Sequence, residues 1–394
     1  MKRTILHLFF AAILLGQTNS AVEQAWKLAA SGKRDESIAL LEKRLATDPR
    51  DADARLLLGS LLTEAGHGPE AIAQLTEAVK LRPHSAEAQN ALGETYNRFG
   101  EVKAARGAFE RAVAIQPGYG VAQMNLGEVL LNAGEAGPAG EHLNRAVKLL
   151  PRGDDAAYAH YLLAKCYTAQ NEAPMAAEHL RQAVEMRPAF PEAWSDLGEA
   201  RKTLLDDAAA LEAFTRAVQL APNDPVAQYR LGAEYLDMDK PHLAVDHLAT
   251  AYRLGPEDQS TLNALQRALR QDGRGKEADE IKQKLAELLL AKDKANQDAQ
   301  AAVNLNNDGA RLQSAGDLPA AATKYQAAIE LAPKNVPMRV NYAVALLRLG
   351  KWTEGLNQLH AALLMDPSNA KIQEALKEAV AQAPAGTVPD WNRR

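Results

Sequence analysis

The 394-residue sequence holds a single cysteine, Cys166. No intramolecular disulfide can form, so oxidation has no part in the fold. Cys166 is expected to be a small buried apolar side chain. Aromatic residues are scarce, at 5%, while alanine is plentiful, and such a chain favours helices in close contact. Neither sign of charge dominates, and the formal net charge is −5. Mild acidity of this kind aids solubility. It lacks the basic face that a phosphate backbone requires, which argues against nucleic acid as the main partner. The sequence contains no Asn-x-Ser/Thr glycosylation acceptor.

Signals of catalysis are missing as well. Gly273-Arg274-Gly275-Lys276 is too short for a phosphate-binding loop, and no Gly-x-Ser-x-Gly nucleophile turn occurs. The histidines are scattered. His142, His179 and His247 recur one residue before an apolar packing position, so their spacing reflects repetition and not a metal site. His242 and His247 are five apart, which does not give the shared helical face of an i, i+4 zinc pair. No cofactor, metal or catalytic residue is expected, and the chain reads as a non-enzyme.

What is present begins with Lys2 and Arg3, followed by an apolar run from Ile5 to Leu15 and the small residues Ser20-Ala21. This is the pattern of a signal peptide over residues 1–20, and it implies a secreted or periplasmic protein. The run is shorter than the ~20 residues of a membrane span, so no stable span is expected after cleavage.

The strongest signal is periodic. Prolines stand at 49, 83, 117 and 151, resume at 188, 222 and 256, and recur at 333 and 367, each series stepping by one interval of 34. Between them other residues repeat: Leu92-Gly93, Tyr96, Gly100, Ala105, Phe109, Ala112 and Pro117 in one unit, then Leu126-Gly127, Leu130, Gly134, Ala139, Leu143, Ala146 and Pro151 in the next. Apolar residues at helical spacing in each half predict two helices, A and B. Glycine inside a helix costs ~0.5–1 kcal/mol against alanine, so its return at 59, 93, 127, 198, 232 and 309 points to close backbone approach. Proline near the start of helix B is harmless, and the closing proline stops that helix.

This pattern resembles the tetratricopeptide repeat family, over residues 18–369 apart from one gap. The resemblance implies an all-α fold, an α-solenoid in which about ten antiparallel helix pairs wind into a right-handed superhelix. The expected organisation is a repeat array over 21–292, with a partial first and a degenerate eighth unit. A helical joint over 293–301, two further units with a capping helix over 302–382, and a disordered tail over 383–394 follow. Residues 276–301 read as one long polar helix.

The resemblance also implies a concave groove lined by helix A, where a partner protein or peptide would lie. Its facing places fall on Asp53, Glu87, Asn90, Glu94, Asn97 and Glu128, an acidic and amide-rich stretch, and then on Tyr158, Tyr161, Lys165 and Tyr229. Tyr158, Tyr161 and Lys165 are spaced i, i+3, i+7 and share one helical face. The expected function is a protein-binding scaffold, with envelope assembly or secretion as the setting. Alternatives are a regulatory or recruiting subunit of an enzyme complex, and a groove for a glycan or small molecule.

Overall fold

A computed structural model describes residues 20–391, which form twenty α-helices and no strand. The expected leader, apart from Ser20, lies outside these residues. The chain divides into two compact units that meet in sequence at Arg274 and Gly275.

The first unit comprises α1 (Ser20–Ala30), α2 (Arg34–Thr47), α3 (Ala52–Ala65), α4 (Gly68–Leu81), α5 (Ala86–Arg98), α6 (Val102–Ile115), α7 (Gly120–Asn132), α8 (Ala136–Leu149), α9 (Asp154–Ala169), α10 (Ala173–Met186), α11 (Pro191–Thr203), α12 (Asp207–Leu220), α13 (Pro225–Asp237), α14 (Pro241–Leu254) and α15 (Gln259–Gln271). Odd-numbered helices are the A helices, and each is followed by its B partner up to α14. Four A-helix starts of the first unit, those of α3, α5, α13 and α15, are built alike, whereas α7, α9 and α11 begin without a side-chain cap. At the capped starts a short polar residue after the closing proline caps the A helix: Asp51 accepts from the Ala54 N–H at 3.0 Å, Ser85 from Ala88 at 3.1 Å, and Asp258 from Thr261 at 2.7 Å. Each cap satisfies one of the amides that a helix start leaves open.

The repeated helix glycine is explained by packing. A Cβ on Gly93 would lie 2.6 Å from the Phe109 ring, so α5 can approach α6 only because none is there. Phe109, Phe214, Leu75, Leu143 and Leu248 fill the equivalent place in successive B helices and are buried. Ala105, Ala139, Ala210 and Ala244 are also buried. Cys166 is buried and free, and burial pushes its thiol up to about 11.

The hairpin turn places one residue at positive φ. Gly32, Gly66, Gly100 and Gly134 do this in the early repeats, but Asn171 (φ 60°), Leu205 (φ 59°) and Asp239 (φ 57°) hold the same position in later ones.

The second unit contains α16 (Gly275–Ser314), α17 (Leu318–Leu331), α18 (Val336–Arg348), α19 (Trp352–Met365) and α20 (Ala370–Gln382). The polar stretch 276–301 and the expected ninth A helix are one continuous helix of 40 residues, with no break over 293–301. No glycine or proline occurs from 276 to 308, and the residues there are strong helix formers. Tyr325, Ala328, Tyr342 and Leu346 form the core. Residues 383–391 differ from the disordered tail expected of them: Ala383 and Trp391 pack with Leu376, Val380 and Leu347 beside α19 and α20.

Candidate inner face of the first unit

Successive A helices touch one another: α1 with α3, α3 with α5, α5 with α7, α7 with α9, and α13 with α15. The B helices of neighbouring repeats make no comparable pairing, so the A helices line the more tightly curved face. Its polar residues join repeat to repeat at intervals close to 34.

The first stretch is acidic and amide-bearing. Asn90, fully buried, donates to Glu94 at 3.0 Å, and Asn125 on the next A helix donates to the Asn90 side-chain oxygen at 3.0 Å and to Glu94 at 2.9 Å. The hydroxyls of Thr63 and Thr95 meet at 2.7 Å across the same kind of junction. Glu87 accepts from the Ser85 hydroxyl at 3.0 Å, and Asn97 is exposed. Asp53 is engaged by two nitrogens of Arg82, at 2.5 and 2.7 Å, so it presents a closed ion pair and not a lone acid. Burial holds the Tyr119 phenol neutral, and the charges of Glu94, Glu87 and Asp155 add to that effect.

The second stretch is aromatic. The Tyr158 hydroxyl donates to Glu128 at 2.5 Å, which ties it to the acidic stretch. The rings of Tyr158 and Tyr161 lie 6.0 Å apart, and Phe190 sits 6.5 Å from the first and 4.8 Å from the second. Lys165 is exposed, with its ammonium 5.6 Å from the Tyr161 ring centre. Burial, followed by Asp196 and Glu192, raises the Tyr161 phenol, which stays protonated. The three residues of the shared helical face therefore do come together, with Phe190 as a fourth member.

The third stretch is a charge network. Arg230 donates to Ser195 at 2.7 Å and Asp196 at 2.9 Å, and approaches Glu199 at 3.3 Å. Lys202 lies 3.0 Å from the buried Glu234 and 2.7 Å from Asp237, which also receives Arg267 at 2.8 Å. Of these residues Glu199, Lys202, Arg230, Asp237 and Arg267 border, with Tyr229, an open pocket of about 580 Å³. Tyr229 is thus separated from the Tyr158 cluster and belongs to this pocket. Arg230, Asp196 and Arg267 are not picked out by the sequence reading. Opposite charges 30 to 35 residues apart on A helices are the signal that identifies them.

Paired helices stacked edge to edge, with a polar and aromatic inner face, define an α-solenoid of the binding kind. Tetratricopeptide repeat models match residues 22–72, 62–120 and 169–225, and a further one matches 312–384. The chain belongs to the tetratricopeptide repeat family, whose members bind protein partners. It is 33% identical to Protein FlbA of Caulobacter vibrioides over 172 residues, which are 43% of this chain and 27% of that protein. The match thus spans about a quarter of that relative's length. Among solved structures, pilF of Pseudomonas aeruginosa is 17% identical, with a TM-score of 0.50 over 55% of this chain and 98% of its own. YrrB, described as a TPR protein with an unusual peptide-binding site, is 18% identical, with a TM-score of 0.43 over 48% and 96%. At these identities pilF shares the fold. Among the described residues no helix is long and apolar enough to cross a membrane.

Proposed function

We propose that the inner face of the first unit holds an extended segment or a helix of a partner protein, and that the chain is a non-enzymatic scaffold. The observation that supports this most directly is the continuity between Glu128 and the aromatic cluster: Glu128 accepts from Tyr158, which packs with Tyr161 and Phe190. An oriented carboxylate beside the half-buried rings of Tyr158 and Tyr161, backed by the buried Phe190, suits a segment carrying a basic or amide side chain next to an apolar one. Tyrosines in such settings are frequent anchors of binding energy. We place the protein in the periplasm or outside the cell, because Lys2, Arg3 and the run to Leu15 have the make-up of an export signal, and envelope assembly or secretion is the setting that follows.

The test is affinity capture of partners by the mature protein, followed by surface plasmon resonance at two salt concentrations. Glu94→Lys combined with Glu128→Lys is expected to slow association chiefly at low salt, because long-range charge attraction is screened over ~8–10 Å at physiological ionic strength. Tyr161→Ala is expected to speed dissociation at both salt concentrations, because apolar contact does not depend on charge. Unchanged rates for both variants would remove the inner face as the binding surface.

A further inference from the structure

The last residues of the second unit make a contact of their own kind. The Trp391 indole stacks on the His360 imidazole, with ring centres 4.5 Å apart and planes 18° from parallel. Its N–H donates to Asn357 at 3.0 Å. Four residues earlier the Thr387 carbonyl accepts from the Thr353 hydroxyl at 2.9 Å. All three recognition groups, Thr353, Asn357 and His360, lie on α19, spaced i, i+4, i+7, so they form one strip of that helix. The segment that reaches them is not helical. Pro384, Gly386 and Pro389 hold it out of helix, and Gly386 sits at φ 83°.

Sequence register explains why the strip is open to an occupant. Thr387 follows Thr353 by 34 residues, and Trp391 follows Asn357 by 34. Helix α20 is the A helix of an eleventh repeat, and residues 384–391 fall where its B helix would be. In a longer stack the next hairpin would cover this side of α19. Here an extended strap does so, leaving Thr353 and Asn357 exposed at its edge. The strap's hold includes two hydrogen bonds and one aromatic stack, beside the apolar residues Val340, Leu347 and Leu376. Tryptophan combines a large apolar face with a directed donor, which makes it an effective anchor residue.

We propose that the strip Thr353, Asn357, His360 is a peptide-binding site separate from the inner face of the first unit, and that the chain's own residues 384–391 fill it as a tethered ligand. The external ligand it fits is an extended protein segment with a tryptophan two residues after a proline, the arrangement of Pro389-Asp390-Trp391. A tether this short gives the strap an effective concentration on the order of millimolar, so a free segment competes only weakly while Trp391 is in place.

The test uses the full chain and a fluorescent synthetic peptide of residues 383–394, read by anisotropy. Trp391→Ala is expected to bind the peptide at least ten-fold more tightly than the wild type, because the competing anchor is gone. Adding Asn357→Ala and His360→Ala is expected to abolish that gain, as is replacing the tryptophan of the peptide. Equal affinity for wild type and Trp391→Ala, or binding that ignores the peptide's tryptophan, overturns the proposal. A second measurement does not depend on the Trp391 variant. Hydrogen exchange at residues 385–391 is expected to quicken several-fold in His360→Ala while α17 and α18 stay protected, and an unchanged rate counts equally against the site.

Discussion

The imidazoles of His160 on α9 and His179 on α10 meet nitrogen to nitrogen, Nδ1 to Nδ1, at 2.9 Å, with their rings stacked at 5.1 Å. One must donate and the other accept, so the pair is complete only while the acceptor is neutral. Tyr167 lies over His179 at 5.5 Å, and Glu178 is the acidic group that acts on both rings. Burial lowers both histidines, and His160 is lowered to about 4, with the charge of His179 adding to the effect.

A pH dependence follows from the sign of these shifts. The unfolded chain takes up protons near 6.5, but the folded pair resists them, so stability is full above that value and declines as pH falls toward 4. At the same place other repeats pair a histidine with glutamine: His142 with Gln123 at 2.7 Å and His247 with Gln228 at 2.8 Å. His160→Gln copies that arrangement. Urea unfolding at pH 7 and pH 4.5 should show the wild type losing about 2 kcal/mol more than this variant.

Gly93 and Gly107 should respond oppositely to alanine. A Cβ on Gly93 meets the Phe109 ring at 2.6 Å, whereas on Gly107 the nearest atom is the end of the flexible Arg111 side chain at 3.6 Å. Gly93→Ala is expected to destabilise by ~1–3 kcal/mol through overpacking. Gly107→Ala, inside α6, should stabilise by ~0.5–1 kcal/mol through helix propensity. Denaturant midpoints moving in the same direction would contradict this account of the interhelix contact.

Leu205 carries two burdens at one turn: a φ of 59° and 88% exposure. The left-handed conformation costs an L-residue roughly 1–2 kcal/mol that glycine avoids. Leu205→Gly should therefore stabilise the fold by roughly 1 kcal/mol and raise the unfolding midpoint, the gain being reduced by glycine's freer unfolded state. Gly66→Ala at the equivalent early turn should lower it by a similar amount. Thermal melts of the two variants provide the check.

Lys202 holds a buried charge in place. Glu234 is 1% exposed and lies 3.0 Å from the lysine nitrogen. Removing one partner of such a pair leaves the other uncompensated, so Lys202→Met is expected to destabilise by about 3 kcal/mol. Adding Glu234→Gln should recover most of the loss. A double-mutant cycle in urea measures the coupling.

The helix pairs are legible in the sequence because a closing proline and a helix glycine recur at one interval, and each has a local physical cause. The aromatic cluster was legible in part. Tyr158, Tyr161 and Lys165 share a helical face by spacing alone, but Phe190 reaches them from the loop before α11. The positive φ at Leu205 is not legible, because leucine rarely adopts it, whereas asparagine and aspartate, as at Asn171 and Asp239, visit it more readily. The engagement of Asp53 by Arg82, which links the inner face to the end of α4, is not legible either. The order of the tail, expected to be disordered, is not legible because Trp391 finds its partners a whole repeat away, on α19.

The bonds between neighbouring A helices have a consequence for changes of length. Asn125 reaches Asn90 across 35 residues, Arg230 reaches Asp196 across 34, and Asn341 on α18 reaches Asn306 on α16 across 35, at 3.0 Å. A single-residue insertion within a helix turns every later side chain of that helix by about 100° and pulls such bonds apart. Excision of residues 86–119 instead joins the Ser85 cap to the start of α7 and preserves the period. Insertions and deletions are thus tolerated in quanta of one hairpin, and duplication of whole hairpins is the route by which such an array can change size without refitting its contacts.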